Sequence, residues 1–420
     1  MNDLKKKEIL NDRQVTKFRL YGFFKNLKFF EPFLLVFLLA NNLNLLQIGS
    51  LISIREIIVN VFEIPSGIIA DYFGKKKELY LCFLFYIISF IIFFFTRNFL
   101  IAAVAMLFYG LGEAFRSGSH KALIYNYLDM KEWTSYKTFV YGRTRSTSLV
   151  GSAISSLLAI VFILNIPSTN YIFLASIIPY LIDFFLILSY PSEIDSIKIT
   201  VDKFSFRATC AMIFKDILSR KKLRRLVAAD SMYEAAVVSI KDYIQPILQV
   251  AILSSAYFSA LNMNSDMILK VVLGITYSII YIISSVGSKG AYRIEKYRSR
   301  QRSLNDFQIL QAVILFVLSF VLDKTYLVVI LFLLIYLIRD IRKPIFVDVI
   351  EDNMRKDERA TVLSVVSQIK SAYTVILAPL MGFIADRFGI KYAMLALSAI
   401  LVASFFLTYV KSTKREIEKI

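Results

Sequence analysis

Charged residues stand inside the most apolar runs of this chain, and their types and spacing define the chemistry open to it. Glu31 lies beside Pro32 in the first run, and Glu113 and Arg116 share a later one, with Lys121 further along. Asp230, Glu234, Lys241 and Asp242 occupy another run, and Arg339, Asp340, Arg342, Lys343 and Asp348 a fourth. Glu63, Arg143, Arg145, Gln368 and Lys370 add polar positions elsewhere, and Gln245 and Gln249 flank Pro246, which implies a bend. A charge at the centre of a bilayer costs about 2.5–3.5 kcal/mol on insertion scales, so each must face protein or water. Two readings follow. Glu113 and Arg116, three residues apart, meet on one helix face and can neutralise each other as a structural ion pair. Alternatively the set lines a water-filled cavity, in which carboxyls such as Glu31, Glu113, Asp230 and Glu234 exchange protons and the cations hold a solute. Packing alone explains so many buried charges poorly, which favours the cavity.

Other chemistries lack their parts. His120 is the single histidine, and Cys82 and Cys210 are the only cysteines, without CxxC spacing. Histidine-based metal sites and Ser-His-Asp catalysis therefore have almost nothing to work with. There is no phosphate-cradling glycine loop, which disfavours a membrane-embedded transferase, and no repeated carbonyl filter motif of a channel. Neither a metal nor a cofactor is expected.

The elements that must position these charges follow from composition. The chain has 420 residues, 57% hydrophobic and 15% aromatic, with mean hydropathy +0.60. A soluble domain could not hide so much apolar area in one core, and repeated runs near the ~20 residues that cross a bilayer predict a polytopic helical membrane protein. Twelve spans are expected, near 20–41, 48–71, 77–96, 100–128, 137–164 and 170–190, then 225–252, 266–288, 304–322, 326–350, 360–385 and 390–410. The chain then divides into a polar N-terminal segment (1–19), a six-helix bundle (20–190), a basic linker (191–224), a second bundle (225–410) and a tail (411–420). The first segment reads as neither a signal peptide nor a folded domain. The net charge of +18 raises the question of nucleic acid, but the cations fall in short loops between apolar runs. They crowd the N-terminus, the even-numbered loops and the C-terminus, which predicts both termini in the cytoplasm and the chain in the cell membrane. The loop before the last span, with Asp386, Arg387 and Lys391, departs from that pattern. Charges at depth concentrate in spans one, four, seven and ten; three, nine and twelve are almost free of them, and span six has only Asp183.

Gly67 to Leu79, GIIADYFGKKKEL, joins the second run to the third. Gly67 is expected to let two helices approach closely, and Gly74 to supply the positive φ of a short turn. Lys75, Lys76 and Lys77 hold that turn on the cytoplasmic side. A near-copy, GFIADRFG, recurs at Gly382 to Gly389. The stretch resembles the signature loop of the major facilitator superfamily between its second and third helices. Gly67, Asp71, Gly74, Lys75, Lys76 and Leu79 match the pattern, while Tyr72 stands where it usually has arginine. A shift of 226 residues lays Arg116 on Arg342 and Glu132 on Glu358, as an internal duplication would. The resemblance covers essentially the whole chain. It implies an all-α fold of two pseudo-symmetric six-helix bundles around a central cavity, lined by the first helix of each three-helix unit. It also implies that Asp71 meets the start of span eleven, a helix N-terminus that favours negative charge, so that the loop gates the cytoplasmic side.

Two signatures of proton-coupled drug exporters in that superfamily are missing. Met106 stands where span four would carry arginine, and span five offers Gly151-Ser152-Ala153-Ile154-Ser155 without the proline and later glycine pair. The expected function is a monomeric secondary active transporter, not an enzyme, moving a small organic solute by alternating access. Proton-coupled efflux of an amphipathic compound leads; a proton-coupled nutrient symporter or a uniporter is the alternative.

Overall fold

A computed structural model of the chain describes residues 3–195, 219–253, 264–294, 299–354 and 359–409, and these are helical apart from short 3-10 turns and connections. The chain opens with α1 (Asp3–Asn11), α2 (Arg13–Phe24) and α3 (Leu34–Ala40). Then come α4 (Leu45–Phe73), α5 (Lys75–Phe94), α6 (Phe99–Arg116), α7 (Ser119–Met130), α8 (Lys137–Asn165) and α9 (Tyr171–Leu188). The second half holds α10 (Lys221–Ile240), α11 (Ile244–Leu253), α12 (Ser265–Ile294), α13 (Arg300–Leu318), α14 (Thr325–Glu351), α15 (Arg359–Phe388) and α16 (Ile390–Thr408). Residues 196–218 of the expected linker, with Cys210, and the C-terminal tail lie outside the described residues.

These helices form because a chain in lipid must satisfy every backbone N–H and C=O within itself. Their outward faces are apolar: Ile178 is 61% and Phe185 63% exposed on α9, which only a hydrocarbon environment accommodates. Among the described residues, nine helical stretches are long and apolar enough to cross a membrane, and Glu31–Ala40 is a shorter apolar one. The three expected spans outside that set have visible reasons for missing it. Span one is interrupted, α13 opens with Arg300, Arg302 and Asp306, and α14 carries Arg339, Asp340, Arg342 and Lys343 together.

Three spans expected to be continuous are broken. Span one starts at Arg13, earlier than expected, because the Asp12 carboxylate accepts the N–H groups of Gln14 and Val15, both at 2.9 Å. It stops after Phe24 and resumes with the 3-10 turn Glu31–Phe33, where Pro32 has no N–H to continue a ladder. Span four breaks at Ser117–Gly118, where Gly118 has φ +83°. Span seven breaks at the 3-10 turn Lys241–Tyr243, not at Pro246, which sits in the first turn of α11, where no intrahelical donor is needed.

The glycine turn between α4 and α5 is as expected: Gly74 has φ +95° and ψ 149°, a conformation nearly restricted to glycine. It frees the N-terminus of α5, and Asp195 caps it, accepting from the Lys75 N–H at 2.7 Å and the Lys76 N–H at 3.2 Å. The Lys76 ammonium donates to the Tyr190 carbonyl at 2.6 Å. Gly389, its counterpart in the second copy of the motif, has φ +100° but open space around it, whereas a Cβ at Gly74 would collide with the Asp195 carboxylate. Gly389→Ala should therefore cost about 1–3 kcal/mol from the backbone alone, and Gly74→Ala about 1 kcal/mol more as the cap is displaced. Thermal unfolding of the two variants in detergent checks the order. Gly67 does not behave as expected. It is exposed, and a Cβ there would meet nothing within 4 Å. The close contact falls on its neighbour, Ser66, whose hydroxyl donates to the Ala114 carbonyl at 3.1 Å.

The chain resolves into two compact units, Met1–Asn42 with Ile57–Ile199 and Lys270–Ile282, and Leu43–Glu56 with Thr200–Leu269 and Ile283–Ile420. The boundary cuts α4 and α12, so part of each belongs to either unit. The first unit has an aromatic core in which Phe90 meets Tyr180 at 4.9 Å and Phe93 stacks on Phe173 at 4.9 Å between ring centroids. Gly112 presses the backbone of α6 against the Tyr86 ring. The second unit has an aliphatic core of Leu223, Leu226 and Val227 on α10 against Ile345, Val349 and Val365 of α14 and α15.

Candidate functional site

In the first unit the charged side chains of spans one and four converge. The Arg116 guanidinium meets Glu113 at 2.6 Å on the same face of α6, and the Lys28 ammonium stands 3.7 Å from the same carboxylate. Two phenols complete the cluster. Tyr86 of α5 donates to Glu113 at 2.6 Å while accepting from Arg116 Nε at 3.3 Å, and Lys28 donates to the Tyr109 oxygen at 2.8 Å. Two cations thus share one carboxylate, all three partly open to solvent at 18–30% exposure. Glu31 has a separate place: Tyr281 of α12 donates to it at 2.6 Å.

In the second unit, spans seven and ten supply the charges. Arg339 binds Glu234 at 3.0 Å through both Nε and a terminal nitrogen. Arg342 pairs with Asp230 and lies over the Tyr233 ring, 4.1 Å from its centroid. Arg116 and Arg342, equivalent under the shift of the duplication, are therefore both held by a carboxylate and a tyrosine. The pairs close within their own unit in each case. Asp340 is hydrogen-bonded by Ser284, Asp242 lies 3.6 Å from Lys241, and Gln245 is fully buried.

A third group was overlooked in the sequence. Within the second unit, Glu56 of α4 takes Arg55 at 2.9 Å and Lys370 of α15 at 3.7 Å, and accepts from the Ser371 hydroxyl at 2.8 Å. Arg55 and Glu56, adjacent in the middle of an apolar run, were visible there as a sign. The same was true of Lys28. Of the remaining expected residues, Glu63 is half-buried, its carbonyl accepting from Ser66 at 3.0 Å, and Arg145 is exposed on α8. The Asp71 side chain lies outside the described residues, as does the approach to α15 at 355–358.

The second motif copy shows what its acid does. Both oxygens of Asp386 accept backbone N–H groups at the start of α4, from Leu45 at 3.0 Å and Leu46 at 2.7 Å. The next N–H, of Gln47, goes to the Asn44 side chain at 2.8 Å, and Gln47 returns the bond at 3.0 Å. Gly382 and Gly49 bring the two backbones so close that a Cβ on either would strike the other helix. The loop's charges thus have local employment, with Lys391 4.9 Å over the Phe320 ring. Asp386→Ala should lower stability by about 1–2 kcal/mol, and Asp386→Asn by somewhat less, because the amide oxygen still accepts one of the two N–H groups while its NH2 faces the other. Unfolding midpoints of the purified variants test this.

An all-helical membrane fold with paired charges on recurring spans defines a class, the polytopic solute carriers. The comparisons make it specific. The family model of the Major Facilitator Superfamily matches residues 23–372. An uncharacterised MFS-type transporter of Bacillus subtilis (strain 168), YxaM, is 33% identical over 90 residues, 21% of this chain and 23% of that protein's length. The structure is similar to crystal structures of nucleoside transporter NupG, at TM-scores of 0.77 for a point mutant and 0.75. Identities there are 13% and 12%, over 94% of this chain and 98% of theirs. A POT family transporter in complex with 5-aminolevulinic acid follows at TM-score 0.70 and 11% identity, covering 94% of this chain and 95% of its own. The chain belongs to the major facilitator superfamily. It is a multi-pass membrane transporter and not an enzyme.

Proposed function

We propose that the protein is a secondary active transporter that moves a small organic solute across the cytoplasmic membrane by alternating access, with protons as the coupling ion. The arrangement of Lys28, Glu113 and Arg116 carries this reading. A carboxylate shared by two partly solvated cations can exchange one partner for a solute group without leaving a buried charge alone. Twelve spans, both termini in the cytoplasm, two bundles joined by the basic linker and a monomeric state complete the proposal. Asp71 holds the cytoplasmic turn by capping the start of span eleven. The motif's second copy supports that role, since Asp386 caps a helix start in the same way. Efflux of an amphipathic compound is the direction proposed, and uptake by symport uses the same parts. The fold neighbours favour a polar cargo in either case, one named for nucleosides and one bound to 5-aminolevulinic acid.

A thermal-shift screen of the purified protein against compound classes identifies the solute, and its accumulation in intact cells with and without a protonophore decides direction and coupling. Under efflux the protonophore raises accumulation; under symport it lowers it. An unchanged level sinks proton coupling.

A further inference from the structure

One fully buried acid of the first unit, Asp183, stands outside the cluster around Glu113. Asp183 of α9 is 0% exposed, and neither of its carboxyl oxygens has a hydrogen-bond partner among the described residues. The hydroxyls of Tyr180, one turn earlier on α9, and Tyr21 of α2 are buried and unpartnered as well. The Phe83 ring lies between them, 5.8 Å from the Tyr21 ring and 5.7 Å from the Tyr180 ring. These orphaned oxygens gather where α2 and α5 pack on α9. An ionised carboxylate at that depth would stand uncompensated, whereas the neutral acid is accommodated.

A cation that could compensate it stands at the end of α2. Among the described residues no carboxylate lies within ion-pair distance of Lys25, the residue that caps the end of α2; its ammonium lies 5.9 Å from the Tyr21 ring centroid, and it feels both Glu113 and Asp183. The other titratable groups facing Asp183 are Tyr21 and, on its own helix end, Tyr190. From α5 the neighbouring Cys82 thiol is already spent on the Gly112 carbonyl at 3.2 Å. On α8, the remaining helix against α9, Arg143 and Arg145 are exposed and Tyr141 is engaged by Lys121, 5.2 Å from its ring centroid.

We propose that Asp183 is a proton-binding carboxyl of the first unit, and that Lys25 is the cation it takes as partner when it gives the proton up. Protonation of the carboxylate by water-borne protons frees the Lys25 ammonium toward Glu113 and the solute; release of the proton to water draws it back. The proposal deepens the proton-coupled reading above and rests on it only for its role in transport, since binding of the proton is measured without any solute.

Infrared difference spectra of the purified full chain, recorded across pH, make the test. The carbonyl-stretch band of a protonated carboxylic acid is expected in the wild type and lost in Asp183→Asn, whose amide is the nearest neutral stand-in. The same band set in both proteins overturns the proposal. Lys25→Gln keeps the acid and provides the second reading. Without its cation the carboxyl should hold its proton to a pH higher by about 1–3 units, and an unmoved midpoint overturns the pairing with Lys25. If the band behaves as expected while transport ignores a protonophore, the proton site stands and the coupling reading falls.

Discussion

Arg342→Met is expected to destabilise the protein by about 3–5 kcal/mol, and Arg342→Met combined with Asp230→Leu to recover most of that loss. Arg342 is 2% exposed and Asp230 6%, so neither charge has water to fall back on. Removing the guanidinium alone strands the carboxylate on α10 and also removes a cation placed 4.1 Å over the Tyr233 ring, worth about 0.5–2 kcal/mol. Removing both partners leaves an apolar pair in a unit whose core is already aliphatic, which is often neutral. Arg116→Met should cost less than Arg342→Met, because Arg116 is 30% exposed and Lys28 remains 3.7 Å from the carboxylate it leaves. Thermal unfolding of the four proteins in detergent measures the set. Equal losses in the single and double variants at 342 and 230 would mean that the two charges do not act as a unit.

Much of this fold was legible because membrane insertion writes itself into composition. Runs of apolar residues marked most helices to within a few residues, span one excepted, and the interruption of those runs by charge on spans one, four, seven and ten marked two of the three polar clusters. Gly74 was readable because a turn of one residue between two helices leaves glycine little competition. The departures are also physical. Asp12 lengthened α2 through two hydrogen bonds that hydropathy does not register. Span one broke at Pro32, which has no N–H to continue the ladder, and Lys28, which reaches Glu113, reads in the sequence like a lysine that marks a cytoplasmic edge. Gly67 failed as a packing position because small size permits an approach without causing one, and Ser66 took the contact instead. Glu56 was overlooked for a related reason: an adjacent Arg55 makes it look self-neutralised, while its second and third partners, Lys370 and Ser371, come from more than three hundred residues away.

The clusters also differ in what they can do, and the difference decides where transport should be most sensitive. On spans seven and ten Arg339 and Arg342 each have an acid of their own, whereas Arg55 shares Glu56 with Lys370. In the first unit, Glu113 is the only carboxylate among the described residues within ion-pair distance of both Lys28 and Arg116. Glu113→Gln is therefore expected to fold, since the amide still accepts from Tyr86, but to leave two cations competing for solvent or for any anionic group of the solute. A hydrogen bond to a charged group contributes about 1.5–3 kcal/mol, so its redistribution should change solute affinity or transport rate on the order of 10- to 100-fold, at about 1.4 kcal/mol per decade. Tyr86→Phe, which removes two hydrogen bonds and no charge, should change either by a smaller factor. Asp340→Asn probes the other unit, where Ser284 supports the side chain and an amide should be tolerated. The measurement is uptake or extrusion of the screened solute as a function of concentration and external pH, with unfolding midpoints recorded in parallel. If Glu113→Gln and Asp340→Asn both fold normally and keep full rate, affinity and pH dependence, the clusters are scaffolding, and the solute is recognised by residues elsewhere in the chain.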